Sequence, residues 1–394
     1  MTAMNTSSLT HSSVPRRRFL RACAVTGAGL AAGLHRGLLK AATCPAGGKP
    51  AVGNIRVGLE IGASKVCTAV AESFPDGTTT LLGIGQAPSR GVRSHGIVDY
   101  KVASVCVREA LRDAETRSDV MIRSVVLAVP GTAILSYETT DYYIEYEQSD
   151  WEQMFEWQKI RYAASPGGSI QPVTLADYKR ARHWPILRDP DERRIQDSIC
   201  CVEDAGVQVE RIVFAPVASA EAVLSANQKK LGALVIDIGG GTTDIAVYYD
   251  GVLELSICVP VGGRHIANDL ALASGIPLAE AEQLKIMEST RRRHIPDEGF
   301  LRKQHEMIHA IVQYRAEEIF DLVKRRLADF CDEIASPCAS VHLTGGCALQ
   351  PGICEAAEKV LGLPALRARV KGSSGPSLAD PRLACAIGLT KLVY

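Results

Sequence analysis

Leu234-Val-Ile-Asp-Ile-Gly-Gly-Gly-Thr-Thr-Asp244 decides how this chain folds. An apolar run of strand length carries an acid, Asp237, near its end and then breaks at Gly239, Gly240 and Gly241, where bare backbone lets a ligand approach closely. Thr242, Thr243 and Asp244 lead into two further apolar runs, Ile245 to Tyr249 and Val252 to Val259, so the segment predicts three strands joined by tight turns. The same order occurs earlier. Val57-Gly-Leu-Glu-Ile61 reads as a strand carrying Glu60, followed by a turn of Gly62, Ala63, Ser64 and Lys65, and then by strands at Lys65 to Val70 and Thr79 to Ile84. The chain therefore contains a duplicated half. One glycine turn alone is most simply a tight hairpin. Two of them at matching places predict a clamp whose backbone N–H groups hold a polyphosphate. Lys65 adds a cation, and Glu60 and Asp237 are placed to hold Mg2+ through water. A third turn, Thr344-Gly345-Gly346 after the buried run Ser340 to Thr344, fits a base and ribose against bare backbone.

Between these turns the apolar spacing predicts helices at Val102 to Thr116, Asp191 to Ala205, Ala218 to Leu224, Pro277 to Met287, Leu301 to Ile334 and Pro351 to Leu361. Ser124 to Val129 and Arg211 to Phe214 read as short strands. Three strands, a helix and a strand make a ribonuclease-H-like half. The stretch 136–190 differs, being rich in Tyr, Trp, Gln and Asp with a break at Pro166 to Gly168, and reads as a shortened inserted interaction subdomain. The expected order is an N-terminal extension over 1–52, a first domain over 53–135 and 191–224 split by that insert, and a second domain over 225–394. Residues 286–330 form its smaller helical and irregular part.

With 394 residues, 46% hydrophobic and 22% charged, the chain is an ordinary globular protein of two to three domains. Lys and Arg number 44, as do Asp and Glu, so no net field draws it to nucleic acid; aromatic residues at 5% also disfavour a base-stacking platform. The longest uncharged apolar stretch, Ala22 to Leu34, is shorter than the ~17 to 25 residues of a membrane-spanning helix. Twelve scattered cysteines without a C-x-x-C pair read as small buried hydrophobes, not as a disulfide framework. Against the reducing cytosol that such cysteines suit stands the run from Arg16 to Leu34, whose basic then apolar order resembles a twin-arginine export address. An extension from an upstream start and a segment lying on the inner membrane face are its other readings.

The three turns resemble the phosphate 1, phosphate 2 and adenosine motifs of the actin-like ATPases. More narrowly, Val57 to Val66, Ala87 to Val92, Gly96 to Asp99, Ala218 to Leu224, Val259-Pro-Val-Gly-Gly-Arg-His-Ile-Ala-Asn-Asp269 and Glu280-Ala-Glu-Gln-Leu-Lys285 resemble the FtsA family of bacterial cell-division proteins. The similarity covers about residues 55 to 390, interrupted between 136 and 195. It implies an actin-like fold, two ribonuclease-H-like domains around a central cleft for ATP and Mg2+, to which Gly263, Glu282 and Lys285 are added as nucleotide contacts. It also implies self-association into filaments, binding of the FtsZ C-terminal tail, contacts with other division proteins through the insert, and a place on the cytoplasmic face of the inner membrane at the division site. Ala63 stands where the family usually has Thr, and Cys347 where the adenosine motif has its third Gly. Ala215 replaces a Glu that orients the attacking water in DnaK-type chaperones, so at most a slow ATPase is expected. The sequence ends at Tyr394 without the family's C-terminal amphipathic helix, and the basic segment from Arg16 to Leu34 is expected to serve as the membrane anchor instead.

A PilM-like scaffold of type IV pilus assembly is the alternative, from Val129-Pro-Gly-Thr132 and the run Asp150 to Trp157. Sugar kinases share the fold but need a catalytic Asp that has no candidate here. His305-Glu-Met-Ile-His309 matches the zincin pattern, with Glu333 as a third ligand, yet lies in a helix bearing Arg302, Lys303 and Arg315. Arg291 to His294 reads as a solvated basic loop, and Trp151 and Trp157 as packing residues of the insert.

Overall fold

The computed structural model describes residues 53–74, 78–94, 96–129, 134–138, 183–187, 193–290, 299–328, 338–371 and 379–392. Strands β1 (Asn54–Ile61), β2 (Lys65–Ser73) and β3 (Thr79–Pro88) form the first meander, followed by a short hairpin of β4 (Val92–Arg93) and β5 (Gly96–Ile97). Helix α1 (Tyr100–Ser118) begins where the Asp99 carboxylate accepts from the Val102 N–H at 3.2 Å and ends at Asp119 with φ 55°. Its buried stripe Ala103, Cys106, Val107, Ala110 and Ala114 has helical period and lies on the meander. Next come β6 (Ser124–Val129), β7 (Ile134–Glu138), β8 (His183–Leu187), α2 (Arg193–Glu203), β9 (Gln208–Phe214), α3 (Ala215–Val223) and α4 (Ala226–Leu231). The second half has β10 (Ala233–Ile238), β11 (Thr243–Tyr249), β12 (Val252–Val259), α5 (Gly263–Ser274), α6 (Leu278–Thr290), α7 (Gly299–Ala328), β13 (Ser340–Thr344), α8 (Ile353–Leu361), β14 (Ala365–Arg367) and α9 (Ala384–Lys391).

The duplication is visible in the sheets. One has the order β3-β2-β1-β6-β9 and the other β12-β11-β10-β13-β14, each an antiparallel meander with two parallel strands added beside its first strand. This is the actin-like arrangement expected from the sequence. Elements not anticipated are α4, α5, β4, β5, β7, β8, β14 and 3₁₀ turns at Gly346–Leu349 and Pro381–Leu383. Of the insert at 136–190, the antiparallel pair β7 and β8 is described; Trp151, Trp157, Arg291 to His294 and the N-terminal run from Arg16 to Leu34 lie outside the described residues. Among the described residues no helix is long and apolar enough to cross a membrane.

Alternation along the strands sorts side chains between two cores. Ala233 and Val235 of β10 join the first core with Leu59, Leu127 and Phe214, whereas Leu234, Ile236 and Ile238 join the second with Ile319, Phe320 and Leu343. The face carrying Ala233 and Val235 also carries Asp237, and it looks toward the other half. Between the halves run α3 and α9, which cross with no side chain at the contact: a Cβ on Gly388 would lie 1.7 Å from the Ala218 carbonyl oxygen. Helix α9 also packs on β1 and β2, where Gly58 leaves room for the Ala386 backbone.

Candidate nucleotide cleft

The two glycine turns are built alike. The Gly62 N–H donates to the Lys65 carbonyl at 3.0 Å, and the Gly239 N–H to the Thr242 carbonyl at 2.9 Å. They face each other across a cleft of about 290 Å³. A Cβ on Gly240 would come within 2.9 Å of Ser64 Cβ, and one on Gly241 within 3.0 Å of Ala63 Cβ, so the two turns leave no room for side chains between them. Arg264, in the first turn of α5, spans the gap with a 3.3 Å bond to the Ala63 carbonyl. Gly345 closes one end; its φ of 83° and the 2.5 Å from its would-be Cβ to Asp237 Oδ1 and the Ile238 carbonyl permit no side chain.

Three carboxylates converge on this space. Glu60 stands on β1 where Asp237 stands on β10, and Asp244 pairs with Asp237 across the β10–β11 ladder. Burial pushes the Glu60 carboxyl up to about 7; nearby Lys65 counters the shift, and the charges of Asp237 and Asp244 add to it. Its Oε2 is sealed from solvent without a hydrogen-bond partner. Burial also raises Asp237, opposed by the Ser219 hydroxyl, which donates to Oδ2 at 2.6 Å. The Lys65 ammonium, which a carboxylate cluster would otherwise attract, donates to the Arg382 carbonyl. The cluster thus keeps an excess of negative charge and an unused acceptor, which suits a hard cation with oxygen ligands.

At the other end α6 supplies Glu282 and Lys285. The Lys285 ammonium, 4% exposed, donates to both Glu282 oxygens at 2.8 and 2.7 Å and to the Gly263 carbonyl at 2.8 Å. Gln350 donates to the Lys285 carbonyl at 3.3 Å and leaves its own Oε1 unpartnered. Every residue expected from the sequence lines the cleft except Thr243 and Gly263. Thr243 shares the strand face of Ile245 and Val247, away from the cleft, and its hydroxyl donates to the Val261 carbonyl at 2.7 Å. Gly263 lies behind the wall, donating to the Gly239 carbonyl at 2.8 Å and accepting from Lys285. Ser219, Asp380, Arg382, Arg264 and Gln350 were missed: Ser219 and Arg264 sit inside stretches that resemble the family but were not singled out within them, and Asp380, Arg382 and Gln350 lie outside any such stretch.

The zincin pattern resolves differently. His305 Nδ1 lies 2.9 Å from Glu288 Oε2 on α6, and the His305 and His309 ring centroids are 6.3 Å apart. No group of three metal-ligating side chains occurs among the described residues, and Glu333 lies outside them.

The family model for cell division protein FtsA matches residues 234–388. Cell division protein FtsA of Neisseria meningitidis serogroup B is 31% identical, over 84% of this chain and 88% of its own length. The chain belongs to the FtsA family. The FtsA of Escherichia coli K12 is 29% identical, over 80% of this chain and 81% of its own. Among solved structures, a PilM–PilN type IV pilus biogenesis complex matches with TM-score 0.60 at 16% identity, over 85% of this chain and 97% of that one. Ethanolamine utilization protein EutJ from Carboxydothermus hydrogenoformans matches with TM-score 0.55 at 20% identity, over 88% and 92%. These two likenesses concern the actin-like fold; the sequence relatives place the FtsA-family chain in cell division.

Proposed function

We propose that this FtsA-family chain binds Mg-ATP in the cleft and works as a nucleotide-gated scaffold of the division ring. The observation that carries the reading is the pair of like-built turns facing each other beneath the Glu60, Asp237 and Asp244 carboxylates, with Glu60 Oε2 unsatisfied. In this reading the turns Gly62 to Lys65 and Gly239 to Thr242 hold the phosphates with the backbone N–H groups of Ala63, Ser64, Gly240 and Gly241, those of Gly62 and Gly239 closing the turns themselves. Gly345, Gly346, Glu282 and Lys285 face the base and ribose. Glu60 and Asp237 hold Mg2+ through water, and the ion supplies positive charge that offsets the polyphosphate. Ala215 reaches the cleft wall with no carboxylate to activate water, which supports slow hydrolysis at most.

The partners follow from the family: the FtsZ C-terminal tail, copies of the chain in a filament, and further division proteins through the insert. The basic run from Arg16 to Leu34 would hold it to the cytoplasmic face of the inner membrane at the division site, each basic residue adding about 1 kcal/mol near an anionic leaflet. Calorimetry with Mg-ATP tests the site: Asp237→Ala should weaken binding at least tenfold, and equal affinity in variant and parent would refute it. A pull-down with the FtsZ tail beside pilus-protein peptides tests the partner. Capture of the pilus peptide alone would move the chain to the PilM-like reading.

A further inference from the structure

Four described basic residues line the cleft: Lys65, Lys285, Arg382 and Arg93. Three are committed. Lys65 donates to the Arg382 carbonyl, Lys285 is held by Glu282 and the Gly263 carbonyl, and the Arg382 guanidinium grips Asp380 through Nε at 2.9 Å and Nη2 at 2.6 Å. Arg93 is exposed at the end of β4, and among the described residues its side chain has no hydrogen-bond or ion-pair partner. A guanidinium beside three carboxylates that pairs with none of them is left available for an anion entering the cleft.

Its position says which part of that anion it meets. Ser94, the next residue, lies against the second glycine turn, where a Cβ on Gly241 would come within 2.9 Å of the Ser94 hydroxyl oxygen. The Gly345 turn and the Glu282–Lys285 pair, where the base would sit, belong to the second half. Arg93 comes from the first, so a nucleotide lying with its base at Gly345 runs its phosphates between the glycine turns toward Arg93. We infer that Arg93 is a terminal-phosphate sensor, a binding residue that contacts the third phosphate of a nucleoside triphosphate and has nothing to hold in the diphosphate. The β4–β5 hairpin that carries it is tied to α1, because the Val98 and Asp99 N–H groups donate to the Gly91 carbonyl at 2.8 and 3.0 Å and Asp99 caps that helix. Occupancy by a triphosphate is thereby felt at a helix on the outer face of the first sheet.

This inference rests on the nucleotide reading above, and the experiment separates the two. Mg-ATP and Mg-ADP affinities are measured by calorimetry for the full chain, Arg93→Gln and Arg93→Lys, with thermal melts to verify folding. Arg93→Gln should lose about tenfold in ATP affinity, equivalent to about 1.4 kcal/mol, with ADP affinity unchanged. Arg93→Lys, keeping the charge but not the planar fork, should fall between. Equal loss for both nucleotides, or no loss for either, overturns the sensor while leaving the nucleotide site standing. A parent protein that binds neither nucleotide overturns both.

Discussion

Replacing Gly388 by alanine should disable the joint between the halves more than any comparable one-methyl change. The added Cβ would sit 1.7 Å from the Ala218 carbonyl oxygen and 2.5 Å from its carbonyl carbon, whereas ordinary contact begins at 3.4 Å. The obstacle is backbone on both sides, so no rotamer relieves it; α3 and α9 must part by close to the difference. Overpacking of this kind costs about 1 to 3 kcal/mol, and a main-chain clash belongs at the upper end. A loss of about 3 kcal/mol would lower Tm by roughly 4 °C in a chain of this size. The comparison is Gly346→Ala, whose new methyl meets nothing within 4 Å at an ordinary φ and should move stability by less than about 0.5 kcal/mol. Differential scanning calorimetry without nucleotide reads both. If Gly388→Ala melts within 2 °C or so of the parent, the tight helix crossing is not what joins the halves.

Protonation offers a second check. The folded Glu60 carboxyl titrates near 7, above its ordinary 4.5, so the ligand-free protein should lose up to about 3 kcal/mol of stability as pH rises from 4.5 to 7, a slope that Glu60→Gln removes in pH-dependent melts. In the proposed site Mg-ATP would require the ionised carboxylate, so its affinity should rise up to about tenfold per pH unit below 7 and level off above, as read by calorimetry. In the second core the Arg315 guanidinium, 3% exposed, donates to Asp269 at 2.7 Å and meets Glu318 at 2.7 Å. Arg315→Met should cost about 3 to 5 kcal/mol in denaturant titrations, and adding Asp269→Leu should restore much of it, because the charge left unpaired is what destabilises. Metal analysis should find no stoichiometric zinc; one zinc per chain, lost in His305→Ala, would revive the zincin reading.

How much of this was legible depended on whether the signal was local. The strand Ser124 to Val129, both meanders and the turn glycines were readable because alternation and backbone freedom act over a few residues. The period of two also held an unused clue: it puts Asp237 and Asp244 on one face and Thr243 on the opposite one, so Thr243 need not have been counted among the contacts. Helix α5 was overlooked because it opens on Gly263 directly after Gly262, a pair that reads as a turn. Residues completing the cleft from afar, such as Arg382 and Gln350, carried no local pattern, since they are chosen by tertiary contact. The HExxH spacing shows the converse: it is local, but the partner of His305 is Glu288 on another helix.

The helix that covers β1 and β2 comes late in synthesis. Lys65 reaches the backbone of Arg382, 317 residues onward, and Gly58 receives α9 just beyond it. While a ribosome is still making the second half, the first sheet therefore stands with one apolar face bare and the Lys65 ammonium without its backbone acceptor. Contacts so distant along the chain slow folding and leave sticky intermediates. Newly made chains of this protein should consequently depend on chaperones holding that face until α9 has emerged, and nucleotide should have no finished cleft to enter before then.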